Sequence, residues 1–292
     1  MANARTHSYT RLRRDAEHAA ERFPALLASA ERIAASVAHG DHGRRRPGIG
    51  EAFWEYRHHR AEDGAQSVDW RRSAKGQSLY VRETEWEAAN AIYLWRDGRE
   101  GMDQASPGLH TKRERAAVCL IAVASLLARG GERLATLGEA DFPRTGQSGF
   151  ERCARALADG PGAVSNTEAP ELSPHARAVL ASDFLDPPET WAHRLKSFAA
   201  QGCQGILLRI IDPAEEDFPF TGRTRFKNPS ASDDLLFGRA EDARSEYRAA
   251  WARHGVALSG LARQMGWTLV THRTDRPAAS AVMALYQALE GG

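Results

Sequence analysis

The sequence predicts an α/β fold in which a mostly parallel sheet carries helices on both faces, preceded by an N-terminal helix and a small β annex. Three observations lead there. From Ala91 onward, short apolar runs alternate with longer stretches of helical spacing, and such alternation demands crossover connections and hence parallel strands. The run Ala91-Ile92-Tyr93-Leu94-Trp95 is almost continuously apolar and ends in a charged turn, as a strand covered on both faces must be. A chain of 292 residues with 42% hydrophobic content is long and apolar enough for one large core.

Taken in order, Leu12 to Val37 places Ala16, Ala19, Phe23, Leu26, Ala30, Ile33 and Val37 at helical spacing, with Pro24 dividing or kinking the helix. Gly40 to Gly50 is basic and glycine-rich and reads as a loop. Aromatic and β-branched residues then cluster in Phe53 to Tyr56, Ser67 to Trp70 and Ser78 to Val81, which predicts strands. After the central strand Ala91 to Trp95, the pattern gives helix Lys112 to Ala128, strand Arg133 to Leu137, a helix near Phe150 to Ala158 and strand Ala178 to Ala181. Helix Thr190 to Ala200, strand Gly205 to Ile211, a helix around Glu241 to Arg253, strand Trp267 to Val270 and a closing helix Ala278 to Leu289 complete the layers. The organisation is therefore residues 1–47, a helical segment; 48–90, the β annex; and 91–292, the α/β domain.

Composition excludes several function classes. Lys+Arg at 39 against Asp+Glu at 38 leaves a net charge of +1, so no global field draws the chain to nucleic acid or an anionic membrane. Cys119, Cys153 and Cys203 are odd in number and far apart, which suits neither a disulfide framework nor a zinc site and points to a reducing cytoplasm. The most apolar run, Ala116 to Ala128, falls short of the roughly 20 residues a bilayer span needs and reads as a buried helix. No export signal is expected at the N-terminus.

In an open parallel sheet, ligands bind outside the carboxyl ends of the strands. Asp97 follows one such end and Asp183 another. If the two strands are neighbours, these carboxylates converge as a hard cation such as Mg²⁺ would require; the alternative is that each caps the helix or turn that follows. No nucleophile elbow, phosphate loop or His-Glu-x-x-His helix is present, and Gly48-Ile49-Gly50 lacks the strand that phosphate cradling needs. His39, His42, His58 and His59 have no other soft ligand beside them. The arginines and tryptophans between Trp54 and Trp95 are interleaved with Glu55, Glu62, Asp63, Asp69, Glu83, Glu85 and Glu87, which repel phosphates. Only the Arg44-Arg45-Arg46 loop offers a basic patch, and steep salt dependence would be its mark.

The order of motifs resembles a known family. Gly48 to Arg57, then Asp63, then Val68-Asp69-Trp70-Arg71-Arg72-Ser73-Ala74-Lys75 resembles the signature of the domain of unknown function 58 family, and Ala181 to Asp186 and Asp212 to Gly222 resemble its later segments. The resemblance implies a von Willebrand factor A-like, Rossmann-like sheet, with Asp63, Asp69, Trp70, Arg71 and Ser73 as structural rather than catalytic signature residues. It departs from the family in having Glu62 where glycine usually precedes the aspartate. It departs again in the metal loop, where an Asp-x-Ser-x-Ser pattern becomes Asp97-Gly98-Arg99-Glu100-Gly101 and two hydroxyl ligands are lost. A guanidinium ~5 Å from a divalent ion would be repelled by roughly 1.7 to 7 kcal/mol at effective dielectrics of ~80 and ~20. The expectation is therefore a degenerate metal-ion site without bound Mg²⁺, whose edge (Asp97, Arg99, Asp183) receives an acidic partner group through Arg99.

The resemblance further implies a non-catalytic cytoplasmic adaptor with no membrane span and no nucleic-acid partner, working with a MoxR-type AAA+ ATPase on a protein client. The alternative is a metal-assisted hydrolase using Asp97 and Asp183, for which no motif supplies a nucleophile.

Overall fold

The computed structural model describes residues 28–37, 53–58, 73, 80–84, 91–138, 142–160, 171–173, 176–226 and 234–290. The chain divides into two compact units, residues 43–89 and the remainder. In the smaller unit, β1 (Phe53–His58) pairs antiparallel with β2 (Tyr80–Thr84). Of the signature residues, Ser73 is described and buried, while Asp63, Asp69, Trp70 and Arg71 lie outside the described residues, as do the Arg44-Arg45-Arg46 loop and most of the N-terminal helix.

The larger unit is built on five strands: β3 (Ala91–Arg96), β4 (Arg133–Thr136), β5 (Arg177–Ser182), β6 (Gln204–Ile211) and β9 (Thr268–Arg273). Their order is β4-β3-β5-β6-β9, and every pairing is parallel. The expected α/β sheet is therefore present. Between consecutive strands lie α2 (Lys112–Arg129), α3 (Gly146–Asp159) and α4 (Pro188–Ala199). After β6 come α5 (Pro213–Asp217), the strands β7 (Thr224–Phe226) and β8 (Leu235–Phe237), and α6 (Arg244–Gln264); α7 (Ala278–Glu290) follows β9.

The two faces of the sheet carry separate cores. Ile92, Leu94, Val179, Ala181, Ile206 and Leu208 pack with α2, α3, α7 and helix α1 (28–37). Their alternates Tyr93, Trp95, Leu180 and Leu207 pack with α4 and α6. This period-2 alternation into two apolar layers explains why β3 is buried along its whole length. Helix α2 is buried without a break from Ala116 to Leu127, because it lies on the sheet with α3 and α7 beside it. An all-round apolar helix is what such a position requires.

Three departures from the sequence pattern have physical reasons. Helix α6 runs past the expected end at Arg253 to Gln264, through Gly255 and Gly260, whose poor helix propensity suggests termination. A Cβ at Gly255 would stand 3.4 Å from Arg209 Nη1 and one at Gly260 would meet nothing within 4 Å, so the helix accommodates both glycines without either being sterically required. The β7–β8 pair is too short to generate a periodic signal. It is held by contacts of Phe218 with Phe220, Phe226 and Tyr247, and of Phe226 with Phe237. Helix α5 spans a single turn, with Asp212 as N-cap, Pro213 at its start and Glu215 returning a bond to the Asp212 N–H.

Candidate functional site

The chain runs from β3 outward to β4 and then back across to β5, β6 and β9. The topological switch point lies between β3 and β5, the place beyond the carboxyl ends where open α/β sheets bind ligands. Asp97 and Asp183 follow those two strands, and the Asp97 N–H donates to Ala181 O at 2.8 Å. The convergence anticipated from sequence is present. Both side chains also hold the local turn, since Asp97 Oδ1 accepts from Arg99 N at 2.9 Å and Asp183 Oδ1 from Leu185 N at 3.2 Å. The two sequence readings therefore coexist.

Each carboxylate already has a cation. Asp97 is 1% exposed and is gripped side-on by Arg99, with Nε at 3.1 and 3.0 Å from its two oxygens and Nη2 at 2.6 Å from Oδ2. Ser182 Oγ donates to the same Oδ2 at 2.7 Å. Burial works against the Asp97 charge, but the hydrogen bonds from Arg99 and Ser182 outweigh it and hold the carboxyl below its usual range. Arg99 reaches onward with Nη1 to Asp186 Oδ1 at 2.6 Å, and its Nη2 lies 3.9 Å from Asp183 Oδ1. It is thus not a free cation, although its side chain remains 44% exposed. Arg113 ties the Arg99 loop to α2 by donating to Gly98 O at 2.9 Å and to Arg99 O at 3.2 Å.

Lys112 is the residue that sequence reasoning overlooked. It is completely buried at the first position of α2, with Nζ 2.9 Å from Asp183 Oδ2 and paired on its other side with Glu215 Oε1. Burial raises the Glu215 carboxyl above its ordinary range in spite of that pairing. A cation at a helix N-terminus opposes the macrodipole, so a lysine directly after the Thr111 cap was the available sign that acidic groups face it. Asp212, fully buried beyond β6, accepts from Ser106 N at 2.7 Å, from Ser106 Oγ and from Ala214 N at 2.9 Å. The carboxyl ends of β3, β5 and β6 thereby form one charged network closed by Arg99 and Lys112.

This donor set does not fit a divalent cation. The oxygens of Asp97 and Asp183 that would face a metal are occupied by a guanidinium and an ammonium. A Cβ on Gly101 would stand 3.3 Å from Asp183 Oδ2. Among the described residues no group of three or more His, Cys, Asp or Glu side chains is placed to hold a metal.

On the other side of α2, His272 is 3% exposed at the end of β9. Burial and the nearby Arg115 push its pKa down to about 4. The folded chain therefore keeps His272 neutral where the unfolded chain binds a proton. Stability should fall as pH drops from about 6.5 toward 4, by about 3 kcal/mol at the lower end. Denaturant titrations at pH 7 and pH 4.5 should show this loss, and His272→Gln should remove that part of the difference. An unchanged pH dependence in the variant would contradict the assignment.

Comparison with known proteins supports the family and little else. The chain is similar to an aerotolerance-related membrane protein from Bacteroides fragilis (11% identity, 70% of this chain and 100% of that one, TM-score 0.40). It is also similar to the conserved hypothetical protein BatB from Bacteroides thetaiotaomicron (11%, 70% and 100%, TM-score 0.38) and to the PilB minor pilin from Streptococcus sanguinis (11%, 73% and 64%, TM-score 0.36). None of the curated proteins matches. Among the described residues, no helix is long and apolar enough to cross a membrane. The profile of the family described as protein of unknown function DUF58 matches residues 55–257, which include both carboxylates, their two cations and the whole of β3, β5 and β6, and on that match the chain belongs to this family.

Proposed function

We propose that the chain is a von Willebrand factor A-like, non-catalytic protein-binding domain that acts in the cytoplasm as an adaptor for a MoxR-type AAA+ ATPase. In this reading, the metal-ion edge has become metal-independent. One observation carries it: the carboxylates at the switch point are neutralised from within, Asp97 by Arg99 and Asp183 by Lys112. In a metal-dependent relative a bound cation would bridge to a partner's carboxylate; here the exposed flank of Arg99 performs that task, and an incoming acidic group takes the place of Asp186. The hydrolase alternative would need an ionised base free to activate water. Asp97 is instead saturated by four donors: Arg99 N, Nε and Nη2, and Ser182 Oγ.

Two measurements test this together. Calorimetric titration with Mg²⁺ and Mn²⁺ should give no saturable micromolar binding, and Arg99→Ser combined with Gly101→Ser should begin to restore it. Purified protein should also capture a purified MoxR-type ATPase, with a difference between ATP and ADP that Arg99→Ser weakens. Micromolar metal binding lost on Asp97→Ala, or turnover that depends on a divalent metal, would replace the adaptor reading with the hydrolase one.

A further inference from the structure

Arg99 divides its guanidinium between two carboxylates that are held very differently. Its Nε/Nη2 edge grips the buried Asp97, which also accepts from Arg99 N and Ser182 Oγ. Its outer nitrogen, Nη1, donates to Asp186 Oδ1 at 2.6 Å. The other oxygen of Asp186, Oδ2, has no hydrogen-bond partner among the described residues. Asp186 thus makes a single end-on contact, and it does so at the surface, with 44% of the Arg99 side chain and 25% of its own exposed. A one-point exposed pair contributes little stability, so this is the bond of the two that an external carboxylate can replace.

The local turn keeps Asp186 beside Arg99. Before it stands Phe184, whose left-handed backbone is fixed by Ser182 Oγ and His254, and after it come Pro187 and Pro188 at the start of α4. Proline fixes its own φ and restricts the residue before it, which holds the Asp186 carboxylate near Nη1 at a high effective concentration. The adjoining acids have other cations, Asp183 being paired with Lys112 and Asp103 with Arg113. An incoming anion must therefore replace Asp186, since joining it would set two carboxylates on one nitrogen. Leu185, the preceding residue of the same turn, is 45% exposed. We propose that Asp186 is an internal ligand of Arg99, an autoinhibitory latch that opens when a partner segment carrying an acidic residue next to an aliphatic one displaces it and packs on Leu185. The latch rests on the acceptor role given to Arg99 above, but not on the identity of the ATPase.

The full chain, labelled with ¹⁵N, is titrated at constant ionic strength with N-acetyl-Asp-Leu amide, and the Arg99 Nε–H resonance is followed after identification by its loss in Arg99→Lys. A latch closed four-fifths of the time or more raises the apparent Kd at least about fivefold. Asp186→Ala should therefore bind the dipeptide about fivefold more tightly than the parent, or better. Asp186→Asn, which keeps the side-chain volume and one acceptor oxygen, should also bind more tightly, so the gain does not depend on a loosened turn. Leu185→Ser added to Asp186→Ala should weaken the dipeptide and leave N-acetyl-aspartate amide unaffected; equal effects on the two probes would remove Leu185 from the site. Binding by both Asp186 variants no tighter than that of the parent overturns the latch, and leaves Arg99 as an acceptor provided that Arg99→Ser abolishes the parent's binding. Variants that bind equally well with and without Arg99→Ser overturn it too. No saturable shift in the parent or in either Asp186 variant up to about 100 mM, far above a millimolar site, overturns the latch and the acceptor role together.

Discussion

Lys112→Met should destabilise the protein by about 3 to 5 kcal/mol, because it leaves Asp183 and Glu215 buried without their shared cation. Arg99→Ser should cost less. Arg99 is 44% exposed, so water replaces much of what it supplies, whereas Lys112 is wholly enclosed. The Lys112→Met defect should shrink on acidification, since the Glu215 carboxyl is already raised by burial and its protonation removes an unpaired charge. Adding Glu215→Gln should restore part of the stability for the same reason. Denaturant midpoints of the three variants at two pH values decide the matter. A Lys112→Met protein within about 1 kcal/mol of the parent would show that the ammonium does not hold the network.

Trp191→Ala is expected to have an effect of similar size, about 3 to 5 kcal/mol. The ring is 1% exposed in the core between the sheet and α4. Its centroid lies 4.6 Å from Phe184 and 6.0 Å from Trp95, and Arg194 stacks on it at 4.7 Å. The consequence reaches the site. Phe184 adopts a left-handed backbone conformation, φ 52°, directly after Asp183, a conformation costly for a large residue unless its surroundings hold it. Ser182 Oγ accepts from Phe184 N at 3.1 Å, and His254 bonds to Phe184 O at 2.7 Å. Losing the Trp191 contact should therefore loosen the turn that aims Asp183 at Lys112. Trp191→Phe, which keeps most of the apolar area, should be much milder. Equal unfolding midpoints for parent and Trp191→Ala would mean that the ring contributes nothing to this packing.

How much of this was legible beforehand differs by element. Strands β3, β5 and β6 were evident because a strand covered on both faces needs a nearly continuous apolar run; Ala91 to Trp95 is one, and Gly205 to Ile211 is broken only by Arg209. The positions of Asp97 and Asp183 followed from those strands, because polar residues that end an apolar run lie at the sheet edge. The β7–β8 pair was invisible, since three-residue strands carry no measurable period. The true length of α6 was hidden by Gly255 and Gly260, whose low helix propensity is outweighed by the packing of Leu258, Leu261 and Ala262 in the core.

By itself the sequence determined the α/β class, the strands that form the central sheet, and the pair of carboxylates beyond β3 and β5. Periodicity and residue type are local properties, and those conclusions need nothing more. Only the tertiary structure decided that β3 and β5 are neighbours, that Lys112 is the cation facing Asp183 and Glu215, and that Asp186 occupies the outer nitrogen of Arg99. Lys112 is 71 residues from Asp183 and 103 from Glu215 along the chain. Charge pairing depends on distance in space and on the exclusion of water, and folding alone sets both.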